Sequence, residues 1–192
     1  MSKLSGIRVV DLSLFLPGPM MTSMLADHGA EIIKIEPPGG DPARQMEPFE
    51  EGQSVWFRNI NRGKQSVVLD LKQKDNLQKL YGLVEESDIF VEAFRPGVAN
   101  RLEIDYETLS AINPRIIYCS ISAFGQGGPL AHHPAHDLAV EAFAGFMSVN
   151  DKGDGEPVVP AFPAADASAS LVALSGILMA LIGRERTGIG DY

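Results

Sequence analysis

The 192-residue chain predicts an α/β fold, a mostly parallel sheet with helices on both faces. Three observations carry that expectation. Short runs rich in valine and isoleucine alternate along the chain with amphipathic stretches of helical period. Glycine and proline punctuate the joints, as in LPGP at 16–19 and PPGG at 37–40. Finally, 45% of the residues are hydrophobic, enough to bury a proper core.

Taken in order, Ile7 to Leu12 reads as the first strand and Leu16-Pro17-Gly18-Pro19 as a turn. Met20 to His28 reads as a short helix closed by Gly29, a residue suited to the positive φ of a helix end. Glu31 to Glu36 is the next strand, followed by the loop PPGGDPAR. Ser66 to Leu71 follows as a strand, and Asp75 to Glu86 as a helix with Leu77, Leu80, Leu83 and Val84 on one face. Strands at Asp88 to Glu92 and Arg115 to Ile121 bracket a helical turn around Tyr106 to Ile112. After a loop from Gly125 to Pro134, Asp137 to Met147 and Ala167 to Arg184 read as helices.

Composition narrows the function classes. The net charge of −9 argues against nucleic acid or an anionic membrane as the main partner. No apolar run reaches the roughly 18 residues that span a bilayer, and MSKLSGIRVVDLS lacks the apolar core of a signal peptide. With one cysteine, Cys119, there is no disulfide framework, so the expected compartment is the cytoplasm. Cys119 lies inside an apolar run and reads as an inert thiol. No G-x-G-x-x-G turn follows the first strand and no P-loop lysine motif occurs, which argues against a dehydrogenase or an NTPase.

Local charge tells more than the total. In NINRGKQSVVLDLK, 59–72, a polar, basic turn feeds a β-branched strand. A second strand ends at Phe94-Arg95-Pro96-Gly97 and leads to Arg101. Cations gathered at strand ends suit an anionic, phosphate-bearing ligand.

Six segments in one order resemble a known family: GIRVVDLS, ADHGAEIIKIEPPGGDPAR, NRGKQSVVLDLK, DIFVEAFRPGVANRL, NPRIIYCSISAFGQGGP and RERTGIGDY. The chain resembles the family III CoA-transferases, relatives of carnitine and formyl-CoA transferases and of α-methylacyl-CoA racemase. The resemblance implies a Rossmann-like sheet forming the N-terminal part of a large CoA-binding domain. Residues 1–192 would be that portion, with a smaller middle domain and a C-terminal return absent from the chain. It implies coenzyme A as substrate in acyl-CoA form, a carboxylic acid as second substrate, no metal, and an interlocked homodimer. By matching position, Leu69, Asp70, Leu71, Lys72, Phe94, Arg95 and Arg101 would hold the adenosine and phosphate end of CoA. Leu16, Pro17, Ala135, His136 and Asp137 would line the pantetheine path. Pro37 and Pro38 stand where relatives often have an arginine, and Ala93 where they have an asparagine, which leaves Arg44 or Arg62 to compensate.

Two residues are candidates for the chemistry. Asp166, in PAADASAS, stands among small residues before a long apolar helix. An aspartate there is ordinarily an N-cap; the resemblance makes it the nucleophile. His136 sits in HHPAHD, where His132 and His136 are four apart, but Pro134 between them disfavours a helix presenting both to a metal. The ordinary reading is a loop histidine before Asp137 caps the next helix. The racemase branch has a His-Asp pair here, the histidine acting with the later aspartate as a two-base system. The resemblance therefore implies CoA transfer through an aspartyl intermediate, with α-proton exchange as the alternative. A non-catalytic CoA-binding module is the second alternative.

Overall fold

The computed structural model describes residues 2–150, 153 and 155–192. Strand β1 (Arg8–Asp11) leads through a turn into helix α1 (Pro17–Asp27), then strand β2 (Glu31–Glu36). A 3-10 turn (Pro42–Gln45), the hairpin β3 (Phe49–Glu50) and β4 (Gln53–Ser54), and the short helix α2 (Val55–Ile60) come next. Strand β5 (Lys64–Val68), helix α3 (Lys74–Glu85), strand β6 (Ile89–Glu92), helices α4 (Val98–Arg101) and α5 (Tyr106–Ile112), and strand β7 (Ile117–Ser120) follow. Helix α6 (Asp137–Phe143), a 3-10 turn (Phe146–Asn150) and the long helix α7 (Ala164–Thr187) complete the order.

Five strands form one parallel sheet in the order β5-β2-β1-β6-β7. This is the expected α/β architecture. Its residues alternate between two cores, as a sheet covered on both faces requires. Val9, Ile32, Ile89 and Val91 face α1 and α7 through Met21, Leu25 and Ile177. Their neighbours Val10, Ile33 and Phe90 face Leu77, Leu80, Val84 and Leu109, carried by α3 and α5.

The chain builds outward from β1 in one direction to β2 and β5, then returns to place β6 and β7 on the other side. Between β1 and β6 the order reverses, and ligands of open α/β sheets bind outside the carboxyl ends of the strands at such a point. Here those ends are the turns at 12–17 and 93–97. Gly18 lets the first turn close: a Cβ there would lie 2.1 Å from the Ser13 Cβ.

Several boundaries differ from expectation. The residues read as a turn at 16–19 start α1, because Pro17 suits the first helical position. Strand β5 begins at Lys64 and ends at Val68, because Lys34 of β2 pairs with Ser66 and Ile32 with Lys64. Helix α6 stops at Phe143, and α7 runs three residues beyond each expected end. The absence of a bilayer-length segment is also corrected: by length and composition alone, α7 could cross a membrane. Its charges sit at its ends, so tolerating the serines and glycines inside it yields a long apolar window. In this fold it packs on α1, with Ile177 buried and Val172, Met179 and Ile182 exposed.

Candidate functional site

A cavity of about 590 Å³ opens at the switch point. Leu14, Phe15 and Pro17 come to it from the turn after β1, and Ala93 to Pro96 from the turn after β6. The segment after β7 adds Ile121 and Phe124; the loop and helix beyond add His133 to Asp137; α7 adds Ala165, Asp166 and Ala169. The structure thus brings together Asp166, His136, Asp137, Ala135, Pro17, Phe94 and Arg95, which lie far apart in sequence.

A narrower groove of about 170 Å³ adjoins it, lined by Leu69, Asp70, Leu71 and Lys72 together with Pro37 and Pro38. Leu14 and Phe94 line both spaces, so the two form one path along the carboxyl ends of the strands. Residues 70–72 are a turn rather than strand, and Asp70 shapes it by accepting the Lys72 amide at 3.1 Å. Leu69 is largely withdrawn into the core. Arg101 lies in the last turn of α4, exposed, near Gly97. Lys72, Arg95 and Arg101 make no ion pair among the described residues.

Three placements depart from expectation. Leu16 turns inward onto Ala43 and Ile60, and its neighbours Leu14 and Phe15 line the cavity instead. Arg44 is committed to Glu36 in a two-pronged pair at 2.6 and 2.8 Å and lies over the Phe57 ring. Arg62 pairs with Asp27. Both arginines thus already hold a carboxylate partner. His132 lines a different cleft from His136, so the two do not converge as metal ligands.

Asp166 is not an N-cap. Helix α7 begins at Ala164, which places Asp166 in its first turn with its side chain in the cavity wall. Nor does Asp137 cap its own helix by a side-chain bond. Its carboxylate accepts the Asp166 amide at 2.9 Å, and Glu141, one turn on, accepts the Ala164 amide at 2.7 Å. Two acids on α6 therefore satisfy two of the open amides at the start of α7. Glu141 is 3% exposed, and its second oxygen has no hydrogen-bond partner among the described residues. Sequence reading missed it; the only signal was its spacing of four from Asp137, which puts both on one helix face.

This bracket sets the electrostatics. Burial pushes the Asp166 carboxyl up to about 6, the Asp137 charge adds to the rise, His136 opposes it, and Glu141 adds the smallest contribution. Across the cavity, Glu92 at the end of β6 accepts the Phe94 amide at 2.7 Å and so shapes the turn that presents Arg95. A somewhat larger hollow, about 660 Å³, lies against the outer edge of β7. Ser120, Ser122, Gln126 and Asp191 share its walls with apolar residues, and its thiol, Cys119, is pushed up to about 12 by burial, which makes it a poor nucleophile.

Comparison with known proteins agrees with this geometry. The pattern of CoA-transferase family III matches residues 4–192. The chain is 46% identical over 189 residues to an acetyl-CoA:oxalate CoA-transferase of Acetobacter aceti, covering 97% of this chain and 49% of that protein. It is 38% identical to a succinyl-CoA:glutarate CoA-transferase of Mus musculus, covering 100% of this chain and 44% of the other. A crystal structure of a CAIB/BAIF family protein from Brucella suis superimposes with a TM-score of 0.95 at 36% identity, over 100% of this chain and 52% of that one. The chain spans about half the length of the curated relatives it matches. Parallel sheet, switch-point cavity and sequence all lead to one assignment: the chain belongs to CoA-transferase family III.

Proposed function

We propose that the full-length protein transfers CoA from an acyl-CoA to a carboxylic acid, with Asp166 as the nucleophile. The observation that carries this reading is a carboxylate at about 6, in the first turn of a long helix, facing a cavity whose wall on that helix is otherwise the small residues Ala165, Ser168 and Ala169. At neutral pH such a group is mostly ionised, yet more basic and more nucleophilic than an ordinary aspartate.

In the first step an Asp166 oxygen attacks the thioester carbonyl, and the C–S bond breaks to release CoA thiolate. The product is a mixed anhydride between Asp166 and the acyl group. The thiolate then attacks the aspartyl carbonyl, which frees the first acid as its carboxylate and leaves an aspartyl-CoA thioester. The incoming carboxylate reverses the sequence and leaves with CoA. Ala165 and Ala169 leave room for the thioester at the cavity wall. The groove at 69–72 suits the nucleotide end of CoA, with Lys72 and Arg95 as phosphate partners. The described fold is then part of a CoA-binding domain larger than these residues. The acids named in the relatives above, oxalate and glutarate, make dicarboxylic acids the first acceptors to screen.

The test is mass spectrometry of the full-length protein after exposure to acyl-CoA and then hydroxylamine, which captures an activated carboxylate. A hydroxamate on the peptide carrying Asp166 is expected. A second reading, α-proton exchange in an acyl-CoA, is favoured by one observation: His136 and Asp166 line the same cavity. Exchange of the α-proton in heavy water without a hydroxamate would move the assignment there, and His136→Ala would then abolish the exchange.

A further inference from the structure

Among the described residues, three besides glycine have positive φ: Phe15 at 61°, Glu51 at 52° and Glu103 at 57°. The two glutamates sit in exposed surface turns. Phe15 is different, a bulky aromatic in the left-handed region, where a Cβ crowds the backbone. Strain of this kind persists only where surrounding structure imposes it, and it gathers at functional sites.

The surroundings here do impose it. The Ser13 carbonyl accepts from the Lys34 Nζ at 2.7 Å, and the Phe15 amide points at Asp41 Oδ1, 3.4 Å away. Lys34 and Asp41 are themselves paired at 2.9 Å and fully buried, 1% and 0% exposed. On the other side of the turn, the Pro17 carbonyl accepts from the Ser170 hydroxyl of α7 at 2.8 Å, one turn beyond Asp166. Leu16 is drawn into the core. In an extended chain, neighbouring side chains alternate between faces. The inversion at Phe15 instead sets Leu14 and Phe15 both against the cavity and sends Leu16 the other way. The Phe15 ring stays 44% exposed in a cavity that also holds Asp166.

We propose that Phe15 sorts acyl groups: its ring bounds the space beside Asp166 that the acyl chain must occupy, and the buried Lys34–Asp41 pair is the clamp that keeps it there. This rests on the cavity being the acyl-CoA site proposed above. A ring in that position admits short acyl groups and collides with bulky ones, and its removal should trade one preference for the other.

The experiment measures kcat/KM of the full-length protein for acetyl-CoA and benzoyl-CoA in three variants, beside the hydroxamate assay at Asp166. Phe15→Ala is expected to raise the benzoyl-to-acetyl ratio roughly tenfold or more, since pocket contacts of this size discriminate by such factors. Phe15→Trp is expected to lower it. Phe15→Gly should flatten the selectivity while holding or raising the melting temperature, because glycine adopts this φ freely. A role in folding alone would lower the melting temperature and slow both substrates equally, and that result would overturn the proposal. So would ratios within twofold of wild type in all three variants while the hydroxamate still forms. If the wild-type protein forms no hydroxamate and turns over neither thioester, the reading of the cavity itself fails, an outcome distinct from the previous two.

Discussion

Two groups of acids, one near the first turn and one at the start of α7, behave in opposite ways. Beneath the first turn, Asp11 meets Lys64 at 3.1 Å, Asp41 meets Lys34 at 2.9 Å, and Glu36 meets Arg44. Burial alone would raise Asp11 and Glu36, yet the fields of Lys64 and Lys34 hold Asp11 below its ordinary range. Bonds from Arg44, Ser66 and the Asp41 amide likewise hold Glu36 down at about 2. At the start of α7, Asp137 and Glu141 accept backbone amides but pair with no lysine or arginine, and Asp166 beside them rises to about 6. Burial with a cation makes an anchor; burial among other acids makes a reactive group. The anchor in turn supports the reactive site, since Lys34 and Asp41 hold the turn that lines its cavity.

The sharpest way to break this contrast is to remove the reactive member. Asp166→Ala in the full-length protein should lower turnover by roughly a thousandfold or more, as loss of a covalent nucleophile does; near-normal rates would remove Asp166 from the mechanism. Breaking the anchor should cost stability instead. Lys34→Met strands the Asp41 charge in the interior and should destabilise by about 3–5 kcal/mol, read from the urea midpoint. A loss below about 1 kcal/mol would mean that Asp41 is better solvated than its burial implies.

The pH dependence sharpens the comparison from the other side. In the proposed mechanism the ionised form of Asp166 attacks the thioester, so kcat/KM should fall as pH drops through about 6. Asp137→Asn keeps an acceptor for the Asp166 amide but removes a negative neighbour, which favours the ionised form. The acid limb should therefore move to lower pH, and Glu141→Gln should move it the same way by less. A shift to higher pH would reverse the assigned cause. The smallest effect belongs to Arg62 and Asp27, both exposed, where Arg62→Ala should change stability by under about 1 kcal/mol.

Much of this was legible from local pattern. The apolar runs at 7–12, 31–36 and 88–92 became strands because β-branched residues with short spacing fit a sheet buried on both faces. The motif at 94–97 and the small-residue run around Asp166 were likewise visible. What escaped was any feature whose partner lies far away in sequence. Leu16 looked like a cavity residue by its matching position, and only the inverted backbone at Phe15 reveals that it turns inward. Asp137 looked like the cap of its own helix, whereas its carboxylate bonds an amide 29 residues on. Arg44 and Arg62 looked like free cations until Glu36 and Asp27 were found beside them.

By itself, the sequence determined the segments that become the strands of the large sheet and the helices α1, α3, α5, α6 and α7, though not the hairpin β3–β4 or the short helices α2 and α4, and it held the motifs that place the chain in its family. Those depend on periodicity and on residue types in order, which are local properties. The tertiary structure alone decided that β1 and β6 lie side by side, and so where the cavity opens. It alone decided which acids receive a cation and which do not. The physical reason is the range of the forces involved. A carboxyl responds to every charge and every lost water within several ångströms, and those neighbours are chosen by the fold, not by the chain's own order.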